Sequence, residues 1–254
     1  MPLISLLHRA AAALLVLLFV GACAASNGEP LSPDGINDPY EAQNRGIHEF
    51  NLVVDRALVR PVGVGYTNAV PDGIEDSISN FAYNLAEPSN MVNSLLQGDL
   101  RGAGLSAGRF VVNSTLGFAG LIDATRELGI EENNTDFGET LYVWGVGEGA
   151  YIELPFLGPS TQRETVGKIV DLFTNPINYV WDDRNRAFYL TPAGLASGLS
   201  TRGRFTETID SILYDSADSY AQSRLIYLQN RRFKLGDGES GEQIDPFALD
   251  TEGF

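Results

Sequence analysis

Residues 101–163 read RGAGLSAGRFVVNSTLGFAGLIDATRELGIEENNTDFGETLYVWGVGEGAYIELPFLGPSTQR. The first part, Arg101 to Ala124, is too apolar and too Gly-rich for an ordinary surface helix, yet it holds Arg109, Asn113 and Asp123. Arg109 and Asn113 are four residues apart, so a helix puts them on one face. The second part carries Gly145, Gly147 and Gly149, read as permitting a turn that residues with a Cβ could not make. Residues this apolar need a protein core or a lipid phase to lie against.

The start of the chain chooses between the two. Ala10 to Val20 is an unbroken apolar run. At about 1.5 Å per residue it is too short to span a bilayer core of about 30 Å, and it has the proportions of a signal-peptide core. Val20-Gly21-Ala22-Cys23 follows, in the form of a bacterial lipobox, with Cys23 the residue to be acylated. Cys23 is the only cysteine, so no disulfide or metal partner competes for it within the chain. Ala24 stands where an aspartate would favour retention in the inner membrane, so the outer membrane is expected. Residues 1–22 then form the signal peptide, and 23–36 a small, polar tether.

The remaining chain is acidic, with a formal charge of -16 over the whole sequence. That argues against bulk binding to nucleic acid or to anionic headgroups. Membrane attachment therefore needs acyl chains or buried apolar area.

Working along the chain, Asp38-Pro39-Tyr40-Glu41 opens a helix with Asp38 as its cap, and Pro61 ends it. Within it, Phe50 and Asn51 place an aromatic ring beside an amide. Ile74, Ile78, Phe81 and Leu85 make an amphipathic helix over 73–86, broken by Glu87-Pro88. A short helix follows with Gly98 as its end, and Asp99 caps the next, over 100–116. That helix contains Gly104-x-x-x-Gly108, which allows close helix approach.

Residues 140–144 and 151–154 read as a β-hairpin, or the first half as a helical turn ended by Gly145. Thr161-x-x-Glu164 is a capping box before a helix that Pro176 stops. Further helices lie near 205–213 and 217–235, and an acidic, mobile tail occupies 236–254. The fold class is mainly α, with one domain over 37–235 and one short hairpin or Gly-rich turn near 140–154.

Enzymatic chemistry is hard to place. Gly145-x-Gly147-x-x-Ala150 formally fits a dinucleotide fingerprint, but Pro155 and Gly158-Pro159 follow where a helix should open. The histidines are His8 in the leader and a lone His48, read as solvated or facing a pore. No His/Cys/Asp/Glu spacing suggests a metal site, and no nucleophile–base pair suggests a phospholipase.

Several segments together resemble the MlaA/VacJ family of outer-membrane lipoproteins. They include the lipobox, Asn37-Asp-Pro-Tyr-Glu-Ala-Gln-Asn-Arg45, Asn84-Leu-Ala-Glu-Pro88, Asn113-Ser-Thr-Leu-Gly117 and Gly120-Leu-Ile-Asp123. The run from Asp136-Phe-Gly138 through Gly145-Val-Gly-Glu-Gly149 to Leu154-Pro-Phe-Leu-Gly-Pro-Ser-Thr161 fits as well. Asp218-Ser219 departs from the family's usual Asp-Pro.

The resemblance implies a ring-like bundle of amphipathic, membrane-interfacial helices around a channel on the periplasmic face of the outer membrane. It implies removal of mislocalised phospholipid from the outer leaflet and delivery to a soluble periplasmic carrier, beside a trimeric porin. Expected partners are therefore the outer-membrane bilayer, that porin and that carrier. No cofactor is expected beyond the covalent lipid on Cys23, with phospholipid as the transported ligand. Phe50, Asn51, Arg109, Asn113 and Asp123 become candidates for the channel or its wall. Arg109 and Asp123 either face the channel or pair only to brace the fold. The competing reading is a structural lipoprotein that binds a membrane partner and moves no lipid.

Overall fold

The computed structural model describes residues 36–176 and 186–236. The signal peptide, Cys23, most of the tether and nearly all of the acidic tail lie outside the described residues. The last tether residue does not: Ile36 is buried in a small cluster with Tyr151, Tyr220 and Leu228.

The fold is mostly helical. Helix α1 spans Glu41–Val54 and runs without interruption through a π-helical segment, Asp55–Val59, into α2, Arg60–Ala69. Pro61 was expected to end the first helix, yet it sits inside this continuous rod. The wider π turn just before it gives the ring room and absorbs the missing N–H. Asp38 was expected to cap α1 but makes no cap bond. Its carboxylate instead accepts from Arg224 at 2.6 Å and from Asn44 at 2.9 Å.

Helix α3 spans Asp72–Gln97 as one element, with Pro88 inside it. The expected break at Glu87-Pro88 is absent, because packing against its neighbours on both sides overrides the local signal. Gly98 ends the helix in the left-handed region (φ +78°), as expected, and Asp99 caps α4, Leu100–Thr115, by accepting from the Gly102 N–H.

A short α5, Ala124–Glu127, is capped by Asp123. Helix α6, Phe137–Val143, takes up residues that could have been a strand, and Gly145 (φ +84°) closes it. The hairpin lies further on. Strand β1, Tyr151–Leu154, pairs antiparallel with β2, Gly158–Thr161, in the register Tyr151 opposite Thr161. Thr161 caps α7, Gln162–Thr174, as the sequence indicated. Helices α8 (Arg186–Arg204), α9 (Thr206–Leu213) and α10 (Ser219–Lys234) complete the chain.

The burial pattern is inverted relative to a soluble domain. Among the described residues, more buried side chains are polar or charged than hydrophobic. The inward face of α3 carries Glu75, Asn84, Glu87, Asn90, Asn93 and Ser94, and that of α4 carries Ser106, Arg109 and Asn113. Ile74, which opens the apolar stripe read from the sequence, is exposed, as are Leu100, Val111, Leu116 and Phe118. Two modest apolar clusters remain, one around Ile36 and Tyr151, the other around Phe137, Leu141 and Val166.

Charge pairs fasten the rods together. Arg202 of α8 binds Asp55 in the π segment at 2.8 Å and Asp210 of α9 at 2.6 Å. Arg231 of α10 bridges Asp136 at 2.7 Å and Glu164 at 2.8 Å. No helix among the described residues is long and apolar enough to cross a membrane.

Candidate functional site

Two polar cavities open between α3, α4, α8 and the 117–134 segment. The first, of about 330 Å³, is lined by Asn84, Glu87, Asn90, Arg109, Asn113, Asp123, Glu132 and Asn133, among others. The second, of about 540 Å³, is lined by Asp76, Ile122, Glu127, Ser200, Thr201, Arg204 and Phe205, among others. Asn80, Tyr83, Asp123 and Arg126 line both, so the two join side by side.

The wall between α3 and α4 is a closed hydrogen-bond network. Arg109 is 4% exposed. Its Nε donates to Glu87 Oε1 at 2.7 Å, Nη1 to the Ile130 carbonyl at 3.1 Å, and Nη2 to Asp123 Oδ2 at 3.2 Å. Asn113 Nδ2 donates to Asp123 Oδ1 at 3.1 Å, while Asn113 Oδ1 accepts from the Thr125 N–H at 3.1 Å.

Burial pushes the Glu87 carboxyl above its ordinary value, against the opposing pull of Arg109. Burial pushes Asp123 the same way. There the hydrogen bonds from Thr125 and Asn113 and the charge of Arg109 outweigh it, and the net shift is downward. Asp123 is thus held ionised against a buried cation, as a paired wall group should be.

Backbone geometry builds this corner. After α4 the chain reverses through Phe118 (φ +51°), Ala119 (φ +61°) and Gly120 (φ +93°). A Cβ at Gly120 would meet Asn84 Nδ2 at 2.5 Å, so only glycine lets the turn lie against α3. That turn delivers Asp123 to Arg109.

The residues singled out from the sequence separate into groups. Arg109, Asn113 and Asp123 meet, line the first cavity and also brace its wall. Phe50 and Asn51 are absent from the lining of both cavities. Asn51 clamps the hairpin tip, donating to the Leu154 carbonyl at 3.0 Å and accepting from the Phe156 N–H at 2.8 Å, and Phe50 stacks edge-on against Phe156 at 5.1 Å. Gly145 and Gly149 take positive φ (+84° and +74°); Gly147 does not and has open space around it. Cys23 lies outside the described residues.

Sequence reasoning missed the asparagines. Asn80, Asn84, Asn90, Asn133 and Asn134 line the first cavity. The recurrence of Asn80, Asn84 and Asn90 within α3 was a usable signal, since asparagine is a poor helix former and needs a reason to recur there; Asn133 and Asn134 lie outside any helix and gave no such signal.

His48 was read as solvated or facing a pore, but it is buried. Its Nε2 lies 3.0 Å from Ser219 Oγ and its Nδ1 3.3 Å from Glu153 Oε1. A serine–histidine–carboxylate chain therefore exists where the sequence suggested none. The Asp218 carboxylate takes the Ala221 N–H at the start of α10, where an oxyanion would need donors. Asn51 also holds Glu153 Oε1 at 3.3 Å. The chain ties α1, the hairpin and α10 together.

Comparison with known proteins bears on this geometry. Residues 36–234 match the family model for the MlaA lipoprotein. The chain is 35% identical over 247 residues to the intermembrane phospholipid transport system lipoprotein MlaA of Escherichia coli K12, covering 95% of this chain and 94% of that one. It is 33% identical over 232 residues to the protein of the same name from Haemophilus influenzae, covering 89% and 90%. A chain solved for the structural basis of maintenance of bacterial outer membrane lipid asymmetry superposes with a TM-score of 0.65 at 34% identity, covering 78% of this chain and 98% of that one.

Proposed function

Because the chain belongs to the MlaA lipoprotein family, we propose that its two joined polar cavities are the path along which phospholipid headgroups move. The chain is a component of intermembrane phospholipid transport and serves the lipid asymmetry of the outer membrane. Membrane and lipid are its partners.

The inverted burial carries the mechanism. A phospholipid needs polar surroundings for its headgroup and apolar ones for its tails. Polar groups inside a lipid-bathed protein are tolerated where they face a cavity or each other. Here amides, carboxylates and guanidiniums line the cavities, while Leu100, Leu116 and Phe118 project outward. In this reading the helices form a ring in the periplasmic leaflet, and headgroups pass its centre from the outer leaflet toward a soluble periplasmic carrier. The acyl chains on Cys23 anchor the ring, and a trimeric porin stands beside it. Transfer makes and breaks no covalent bond, so no residue is given a catalytic role and no metal or organic cofactor is invoked.

The buried Arg109 network favours the alternative of a rigid lipoprotein that only docks to a partner, and the test separates the two. Asn80→Phe fills the junction of the cavities without removing a charge pair. Cells lacking the chain, complemented with this variant at normal abundance, should accumulate phospholipid in the outer leaflet, measured by surface labelling. Full complementation by Asn80→Phe would favour the docking role.

A further inference from the structure

Three guanidiniums line the joined cavities. Arg109 is committed to Glu87 and Asp123. Arg204 is committed to Glu75 at 3.0 Å and Asp76 at 2.8 Å. Arg126 differs: its backbone N–H caps onto Asp123, while its exposed side chain forms no ion pair among the described residues. It also lines both cavities, so anything passing from one to the other meets it. Asn80 and Tyr83 share that position and add neutral donors.

The first cavity holds the complementary half. Asn84 is 3% exposed, and its Oδ1 is buried without a hydrogen-bond partner. A buried acceptor left open costs free energy until a donor arrives. Glu132, on the same cavity, is an exposed carboxylate with no ion pair among the described residues. An uncommitted guanidinium thus faces the same small space as an open amide oxygen and an uncommitted carboxylate.

We propose that this junction recognises a zwitterionic phospholipid headgroup, with the phosphodiester on Arg126 and the ammonium on Asn84 Oδ1 and Glu132. The inference rests on the transport reading above and adds the headgroup class to it. A guanidinium presents several N–H donors to phosphate oxygens, and an ammonium presents N–H donors to the two acceptors. A headgroup with a phosphate and no cation would leave Glu132 and Asn84 unanswered and meet the excess carboxylate of the lining. That repulsion selects against it. A volume of about 330 Å³ is at the small end of ligand sites, suited to a headgroup with its tails left outside.

The test uses the full lipoprotein in detergent micelles, titrated with short-chain phosphatidylethanolamine and short-chain phosphatidylglycerol, binding being read by calorimetry. The ethanolamine lipid should bind about tenfold more tightly. Arg126→Gln should weaken both lipids about tenfold, and Glu132→Gln the ethanolamine lipid alone. Both side chains are exposed, so both variants should keep the wild-type circular dichroism spectrum. Equal affinity for the two lipids, a preference for the glycerol lipid, or wild-type affinity in either variant would overturn the inference. Equally tight binding of tail-less glycerophosphoethanolamine would overturn its assignment to a membrane lipid. Unselective lipid binding leaves the transport reading standing. If neither lipid binds and cells lacking the chain keep their asymmetry, the transport reading falls with it.

Discussion

At Arg109 the roles of lining a path and bracing a wall coincide in one side chain. Its guanidinium holds Glu87 and Asp123, and both carboxylates are largely out of solvent. Arg109→Leu strands them, a loss of about 3–5 kcal/mol, and should deplete folded protein. Asn113→Leu should be milder. It leaves the buried Thr125 N–H without its acceptor, about 1–3 kcal/mol, while Asp123 Oδ1 keeps its bonds from the Thr125 hydroxyl and the Arg126 N–H. Thermal unfolding in micelles checks both, and an unchanged melting temperature for Arg109→Leu would mean that the network holds nothing together. Much of this corner was legible: charged and amide residues four apart in an apolar stretch had to meet something. Glu87 was not, because its neighbour Pro88 read as a break, which placed Glu87 outside any helix. His48 and Ser219 lie 171 residues apart, and nothing local announces that they touch.

Among the elements, α4 shows how a motif can be present and unused. Gly104 and Gly108 have nothing within 4 Å of a would-be Cβ, whereas at Gly102 such an atom would lie 2.2 Å from Asp99 Oδ2. Close approach between helices occurs elsewhere, where a Cβ at Gly63 of α2 would lie 3.0 Å from the Leu199 carbonyl of α8. Gly104→Ala and Gly108→Ala should therefore each stabilise the protein by about 0.5–1 kcal/mol, while Gly102→Ala should destabilise it. Melting temperatures in micelles decide this, and loss of stability at Gly104 or Gly108 would show a packing role. Caps were the most legible features, since Asp99, Thr161 and Gly98 act through neighbours three or four residues away. Prolines were the least. Pro61 and Pro88 lie within helices that a π turn and lateral packing keep continuous, and neither compensation is written in the adjacent residues. The hairpin shifted for a similar reason: Thr140 is buried against Asn93 of α3, and that contact favours α6 over a strand.

For the whole molecule, attachment through Cys23 and attachment through the body are separable. The exposed apolar residues on α1, α3, α4, α7 and α10 should give the body its own affinity for lipid. A chain beginning at Ala24 should float with liposomes in a density gradient. If it instead stays monomeric in plain buffer at the bottom of the gradient, the ring-in-membrane picture fails for this protein.

The polar interior also shapes how the molecule responds to temperature. Unfolding a soluble domain wets a large hydrocarbon core, and the resulting heat-capacity increment bends its stability curve into a narrow dome. Here much of what unfolding newly wets is amide, carboxylate and guanidinium, which lowers that increment, while much hydrocarbon is already outside. The curve should therefore be flatter than that of an apolar-cored domain of this length, and cooling should remove less of its driving force.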